Sequence, residues 1–108
     1  MSDFLEAVVT MLPREAGGRS NPVSPRDGSY RPYARFVSGG PLLRVRFIEG
    51  PPTLNPGDSG RVVLELESFD ADEDLLVSGA ELELFETEWD AVGLLTVSRL
   101  WRDALAAY

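Results

Sequence analysis

The chain has 108 residues, of which 44% are hydrophobic and 26% are charged, and its 10 basic and 18 acidic side chains give a net charge of −8 at pH 7. This length and composition predict one globular domain with a single core, spanning residues 1–108, and the acid excess disfavours nucleic acid as a partner. Because cysteine and histidine are both absent, disulfide bonds, thiolate metal sites, thiol nucleophiles and the general base that enzymes use most often are excluded.

The first apolar segment, FLEAVVTML, contains large and β-branched residues and can be read as a strand. Acidic Asp3 and Glu6 stand where a secretion signal carries basic residues, and the apolar run is short. Nowhere does an apolar run reach the roughly 18 residues that a membrane-spanning helix needs. We therefore expect a cytoplasmic protein with no membrane segment.

The second segment, AGGRSNPVSPRDGSYRPYARF, is basic, turn-rich and aromatic within a chain that is otherwise acidic. Gly17 and Gly18 permit a bulge or a close approach of two backbones. Residues 33–37 at its end offer a further strand. Most arginines lie in residues 14–46 and most acids in residues 65–90, which predicts a dipolar surface if the fold keeps these two regions apart.

Three later segments alternate apolar and polar residues with a period of two, the pattern of half-buried strands. The first places Arg44 and Arg46 outward, and the other two place acids outward. The final run, VGLLTVSRLW, again has the composition of a strand. The residues predicted to face the core are Leu43, Val45 and Phe47, then Val62, Leu64 and Leu66, then Leu82 and Leu84.

Turn-forming residues separate all of these segments, and NPGD is the clearest case, because Pro56 pre-sets a turn and Gly57 can take a positive φ. Closely spaced strands joined in this way form antiparallel sheets, and closure of the sheet removes its exposed edges. We therefore predict an all-β fold, a small closed antiparallel β-barrel of about six strands. The tail, residues 102–108, favours a helical turn.

Several motifs together resemble the C-terminal domain of translation elongation factor Tu, across nearly the whole chain and in the same order. AGGR at residues 16–19 and SYRPYARF at residues 29–36 resemble that family's EGGR and GYRPQF segments. NPGD resembles the family's PGD turn, and Val92 with Gly93 resembles the VG pair of its last hairpin. The resemblance implies a six-stranded antiparallel barrel occurring as a stand-alone domain.

The resemblance also sets limits on function. In that family a separate domain binds GTP, and this chain has no GxxxxGK[ST] phosphate loop, so we expect no nucleotide binding. The resembled domain contacts tRNA through the arginine of GGR, the following histidine and the last hairpin. Arg19 keeps the arginine, but Ser20 replaces the histidine and acids such as Glu86 and Glu88 occupy the hairpin. Carboxylates repel phosphate, so the resemblance implies that tRNA binding is possible but disfavoured.

An enzyme is the third possibility. The run DADED in residues 70–74 spaces carboxylates as calcium loops do, but it lacks the glycine and the distal glutamate of an EF-hand. Glu81 and Glu83 share one strand face and favour a solvated surface. We expect no catalytic residue, no metal and no cofactor, although a carboxylate-based hydrolase is the remaining alternative.

Five residues of the basic segment are the candidate partner-binding residues: Arg19, Tyr30, Arg31, Tyr33 and Arg35. Aromatic rings and guanidinium groups are the side chains that protein interfaces favour, and we predict a protein partner. The alternative is RNA, in which the aromatic rings stack on bases beside the arginines. Aromatic residues can also plug the end of a small barrel. Arginines gathered on one face with the rings would favour RNA, and scattered arginines would favour protein.

Overall fold

A computed structural model describes residues 2–19, 21–26, 28–39, 42–66, 79–87 and 90–103. The chain forms a closed antiparallel barrel of six strands, in the order β1-β4-β3-β2-β5-β6 around the barrel. A one-turn 3-10 helix at Arg14–Ala16 follows the first strand. The strands are β1 (Ser2–Met11), β2 (Tyr33–Phe36), β3 (Leu43–Glu49), β4 (Ser59–Leu66), β5 (Glu81–Phe85) and β6 (Ala91–Asp103). The all-β, six-stranded barrel predicted from the sequence is confirmed.

The core consists of the inward-facing side chains of all six strands. All eight residues predicted to face inward on β3, β4 and β5 are buried, with relative exposures of 5% or less. The alternation is visible in β3, where Arg44 is exposed between buried Leu43 and Val45. Period two therefore identified both the strands and their buried faces, because each strand has one face on the core and one face in solvent.

Residues 30–32, which come just before β2 in the chain, lie alongside β3 and extend the pairing of these two strands. Tyr33 and Ala34 pair with β3 in register, and two backbone bonds continue the seam: Val45 N donates to the Pro32 carbonyl at 3.1 Å and Phe47 N donates to the Tyr30 carbonyl at 3.0 Å. The alternation of β2 therefore continues backwards through this segment. Tyr30 packs against the core, whereas Arg31 is exposed.

Turns at one end of the barrel are held by close backbone contacts. A Cβ atom on Gly18 would lie 2.0 Å from the Leu12 carbonyl oxygen, so only glycine fits there, as predicted. Gly57 has a φ of 89°, which fits the turn predicted for NPGD. Its amide donates to the Met11 carbonyl at 3.0 Å, which fastens the turn to the end of β1.

One sequence-based expectation is wrong. Arg102 and Asp103 belong to β6 instead of a helical turn, because the backbone pairs with β1 as far as Asp103; the rest of that tail lies outside the described residues. Within the described residues, β2 lies between β3 and the acidic β5, so basic and acidic positions adjoin there, while much of the acidic region at residues 65–90 is not described. Within the described part of the chain, no helix is long and apolar enough to cross a membrane.

Candidate functional site

The outer face of β3, β2 and β5 carries four side chains that we call the cation–aromatic ladder: Arg44, Tyr33, Phe85 and Arg35. Tyr33 lies opposite Arg44 on β3 and opposite Phe85 on β5. The Arg44 guanidinium carbon lies 4.9 Å from the centre of the Tyr33 ring, and the Arg35 guanidinium carbon lies 4.9 Å from the centre of the Phe85 ring. Both distances are in the range of cation–π interaction.

Local strand geometry explains how the ladder is built. Tyr33 and Arg35 are two residues apart on β2 and share the outer face. Phe85 occupies an outward position of β5, after Glu81 and Glu83, yet its relative exposure is only 4%. The pairing of β5 with β6 shifts register between Leu84 and Phe85, which marks a bulge, and bulges re-aim side chains. The ring is thus covered although it lies outside the core cluster.

The two arginines of the ladder have no internal counter-ion in the described part of the chain. Arg44 donates from Nη2 to the Tyr33 hydroxyl at 2.5 Å. Glu83 lies opposite Arg35 in the pairing of β2 with β5, but the Arg35 guanidinium lies over Phe85. Among the described residues, no carboxylate oxygen lies within 4.0 Å of either guanidinium. Within the described residues, these two positive charges are therefore not paired with a carboxylate.

A second group, the Tyr30 cluster, consists of Tyr30, Phe47, Arg19 and Glu86. The rings of Tyr30 and Phe47 meet edge to face, with centroids 5.1 Å apart. The Tyr30 hydroxyl donates to Glu86 Oε2 at 2.6 Å, and the same oxygen accepts a hydrogen bond from Arg19 Nη1 in a salt bridge. The Arg19 guanidinium carbon also lies 5.6 Å from the centre of the Tyr30 ring. This cluster ties the loop before β2 to the end of β5.

The electrostatics of the Tyr30 cluster favour a neutral tyrosine. Burial raises the pKa of Tyr30 well above its usual value, and the hydrogen bond to Glu86 and the charge of that carboxylate raise it further. The positive charge of Arg19 lowers the pKa of Tyr30, but it does not offset the effects of burial and of Glu86. Tyr30 is thus a neutral hydrogen-bond donor that packs against the core.

The five candidate residues are therefore divided between two places. Arg31, Tyr33 and Arg35 occupy outward positions along one line, while Arg19 and Tyr30 form the Tyr30 cluster. Arg31 and Arg35 thus lie with Tyr33 along one outer face, the arrangement that was expected to favour RNA, whereas Arg19 belongs to the Tyr30 cluster. Sequence reasoning had left out Arg44 and Phe85, which complete the ladder. The available signal for Phe85 was an apolar residue at an outward position of an acidic strand. Alternation placed Arg44 outward, but nothing in the sequence distinguished it from Arg46.

Two arginines outside the ladder and the Tyr30 cluster, Arg46 and Arg26, also bond to oxygen atoms of the protein. Arg46 forms a salt bridge with Glu65, its register partner on β4. Arg26 donates from Nε to the Gly50 carbonyl at 2.7 Å. These two side chains therefore bond to backbone or carboxylate oxygens of the barrel, whereas the ladder arginines contact aromatic rings.

The described residues were predicted to hold neither a metal nor a catalytic group, and their acidic side chains bear on the first of these points. Among them, no group of three or more metal-ligating side chains lies together. Glu81 is exposed and Glu83 is half-buried, both on the outer face of β5. The acidic run at residues 70–74, together with Ser20 and Glu88, lies outside the described residues.

No known protein-family model matches this chain, and its sequence has no match among curated proteins.

Proposed function

We propose that this chain is a non-catalytic interaction module of the cytoplasm that binds a protein partner through the cation–aromatic ladder. The observation that carries this proposal is the pair of guanidinium groups held on aromatic rings, without a carboxylate neighbour among the described residues. The resemblance to the C-terminal domain of elongation factor Tu agrees with it, because the resembled domain also acts by contact and not by chemistry.

The ladder has the properties of an interface centre. Tyrosine and arginine are the residues that most often dominate the binding energy of protein interfaces. Stacking on a ring fixes a long arginine side chain before any partner arrives, which lowers the entropy lost on binding. Each stacked guanidinium also keeps N–H groups at its edge for hydrogen bonds in its own plane. The face is thus prepared for acceptors from a partner.

RNA is the weaker candidate for the same face. Base stacking needs an open ring face, but guanidinium groups already lie over Tyr33 and Phe85. Arg19, the residue that the resemblance assigns to tRNA, is paired with Glu86. A phosphate would have to displace that carboxylate and approach a protein of net charge −8. The charge balance therefore favours a protein partner over a polyphosphate.

An affinity-capture experiment tests the proposal. Wild-type protein and the variants Tyr33→Ala, Arg44→Ala and Arg61→Ala are immobilised and exposed to extract from the source cell, with and without ribonuclease. Arg61 is exposed on the outer face of β4, between β1 and β3, and serves as the matched control. We expect a defined protein that binds wild type and Arg61→Ala equally, is lost from the two ladder variants, and persists after ribonuclease.

Two results would contradict this function. Capture that disappears after ribonuclease would identify RNA as the ligand. Capture that falls equally in all three variants would show that the ladder has no special role. Circular dichroism of each variant confirms that the barrel is intact before capture is compared.

A further inference from the structure

A second surface lies on the opposite side of the barrel from the ladder. Around the barrel, in the order β1-β4-β3-β2-β5-β6, the strands β1 and β6 lie across from β2 and β3. We infer that the outer face of β1 and β6 binds a second copy of this chain and forms a two-fold symmetric dimer. This inference goes beyond the proposed function and does not rest on it, because it uses none of the residues of the ladder.

Three cross-strand pairs form this surface, which we call the β1–β6 face. In each pair an outward residue of β1 lies opposite an outward residue of β6, and the pairs are Glu6 with Arg99, Val8 with Thr96, and Thr10 with Leu94. Val8 and Leu94 are 41% and 43% exposed, and they are two of the three large apolar side chains that are exposed among the described residues. The Thr10 hydroxyl already forms a hydrogen bond with that of Ser59 at 3.0 Å. Two of the three pairs are therefore uncharged and offer apolar surface.

A β-bulge brings an ion pair into this face. The register between β1 and β6 shifts next to Glu6, so this residue pairs with Arg99 and skips Ser98. The Arg99 guanidinium lies 3.6 Å from a carboxylate oxygen of Glu6, and 67% of the arginine side chain is exposed. One level of the face therefore carries an acid on β1 and a base on β6, side by side.

This pattern is complementary to itself in one arrangement of two copies. A two-fold axis that lies in the interface, parallel to the strands and between β1 and β6, places β1 of each copy on β6 of the other. Packed sheets keep their strand directions within about 30° of each other, as this arrangement does. Each residue then meets the residue with which it pairs in its own chain: Glu6 meets Arg99, Val8 meets Thr96, and Thr10 meets Leu94. A second copy thus offers an opposite charge to both members of the ion pair.

Charge disfavours the alternative two-fold arrangement. An axis perpendicular to the strands would place β1 on β1 and β6 on β6. Depending on the register, Glu6 and Arg99 would then lie on uncharged residues or each on its own counterpart. Burying a charge on an uncharged residue costs free energy, and so does placing like charges together. The charges therefore select the axis that runs parallel to the strands.

The dimer is weak, because few side chains take part in it. The β1–β6 face contributes six outward residues per copy, whereas a standard interface has roughly 20 to 30 on each side. Each copy also carries a net charge of −8, although the Debye length of about 8 Å at physiological ionic strength screens most of this repulsion. The fraction of dimer therefore depends on protein concentration.

Measurements over a range of concentrations test the inference. Amide spectra of the ¹⁵N-labelled full chain and sedimentation velocity are recorded at physiological salt, over about a hundredfold range of concentration up to about 1 mM. We expect chemical-shift changes centred on β1 and β6, and a sedimentation coefficient that rises with concentration.

A substitution at the apolar part of the face locates the contact. Leu94→Gln should weaken self-association about tenfold or more, because an amide is then buried without a partner. Val37→Gln is the matched control, since Val37 is 52% exposed and lies in the turn after β2, on the other side of the barrel. It should leave self-association unchanged.

An exchange of charges tests the two-fold arrangement. Glu6→Arg places two arginines in each charged contact and Arg99→Glu places two glutamates there, so each variant alone should self-associate about tenfold more weakly or less. In an equimolar mixture of the two variants, every charged contact again joins opposite charges, and association should return to about the wild-type strength. Arg26→Glu, in the loop before β2, changes the net charge by as much as Arg99→Glu and should have no effect.

Every outcome decides for or against the dimer. A spectrum and a sedimentation coefficient that do not change with concentration would overturn it, and so would changes centred on β2 and β3. A mixture of the charge variants that stays dissociated would show that the two-fold arrangement is wrong. If the chain stays monomeric while Leu94→Gln loses a captured protein, the face binds a different partner and the dimer inference fails. The amide spectrum of each variant shows whether its barrel is folded.

Discussion

At the scale of single residues, Tyr30 holds its phenolic proton more firmly in the folded protein than in the unfolded chain. Burial is the main cause, and Glu86 adds to it through a hydrogen bond and its charge. A tyrosine in an unfolded chain ionises near pH 10. Above about this pH the folded state binds more protons than the unfolded state, so this residue makes the free energy of unfolding fall as pH rises.

The variant Tyr30→Phe tests this linkage. It removes the ionisable group, so between about pH 10 and 11 its free energy of unfolding should fall less steeply than that of the wild type. The difference approaches about 1.4 kcal/mol per pH unit, which corresponds to one proton. Urea unfolding at a series of pH values gives both curves. At pH 7 to 9 the curves should run parallel, and parallel curves above pH 10 would show that Tyr30 is not held neutral by the fold.

At the scale of strands, β4 shows how the alternation produces stability. Leu64 is fully buried, and its register partners are Leu5 on β1 and Phe47 on β3. Replacing Leu64 with alanine removes buried methyl groups and leaves a cavity, which should cost about 2 to 5 kcal/mol. Thr96→Ala, on the exposed side of β6, is the control and should change stability by no more than about 0.5 kcal/mol. Urea denaturation of both variants measures these effects, and equal changes would contradict the assignment of faces.

Strands and their buried faces could be predicted because alternation is a local property of the sequence. Tyr33 and Arg35 could be selected for the same reason, as an aromatic residue and an arginine in a basic segment. The sequence could not place Arg44 and Phe85 in the same site as Tyr33 and Arg35, because their contacts require that β2 lie between β3 and β5. That order depends on barrel closure between segments distant in the chain, and no local pattern contains it. The burial of Tyr30 likewise depends on its pairing with β3.

At the scale of the whole molecule, the fold combines a large negative net charge with a basic outer face. Arg35 and Arg44 occupy outward positions on β2 and β3 with no carboxylate within 4.0 Å among the described residues, whereas Arg19 and Arg46 are paired with glutamates. The two guanidinium groups act on a ligand at short range, while the net charge of the molecule repels polyanions. The protein binding that we propose depends on this difference of range.

Titration of tRNA at several salt concentrations tests that balance. If RNA bound this face, each phosphate contact would contribute about 0.7 to 0.9 to the slope of log affinity against log salt, so the two arginines of the ladder would give a slope of roughly 1.4 to 1.8. So few contacts against a net charge of −8 should leave only weak, non-specific binding at physiological salt, measured by fluorescence anisotropy of labelled tRNA. Submicromolar binding that Arg19→Ala abolishes would instead show that tRNA displaces Glu86 from Arg19, and the chain would then be an RNA-binding module. We do not expect tRNA to bind in this way, because the positive charge of Arg19 that it would need is already paired with the carboxylate of Glu86.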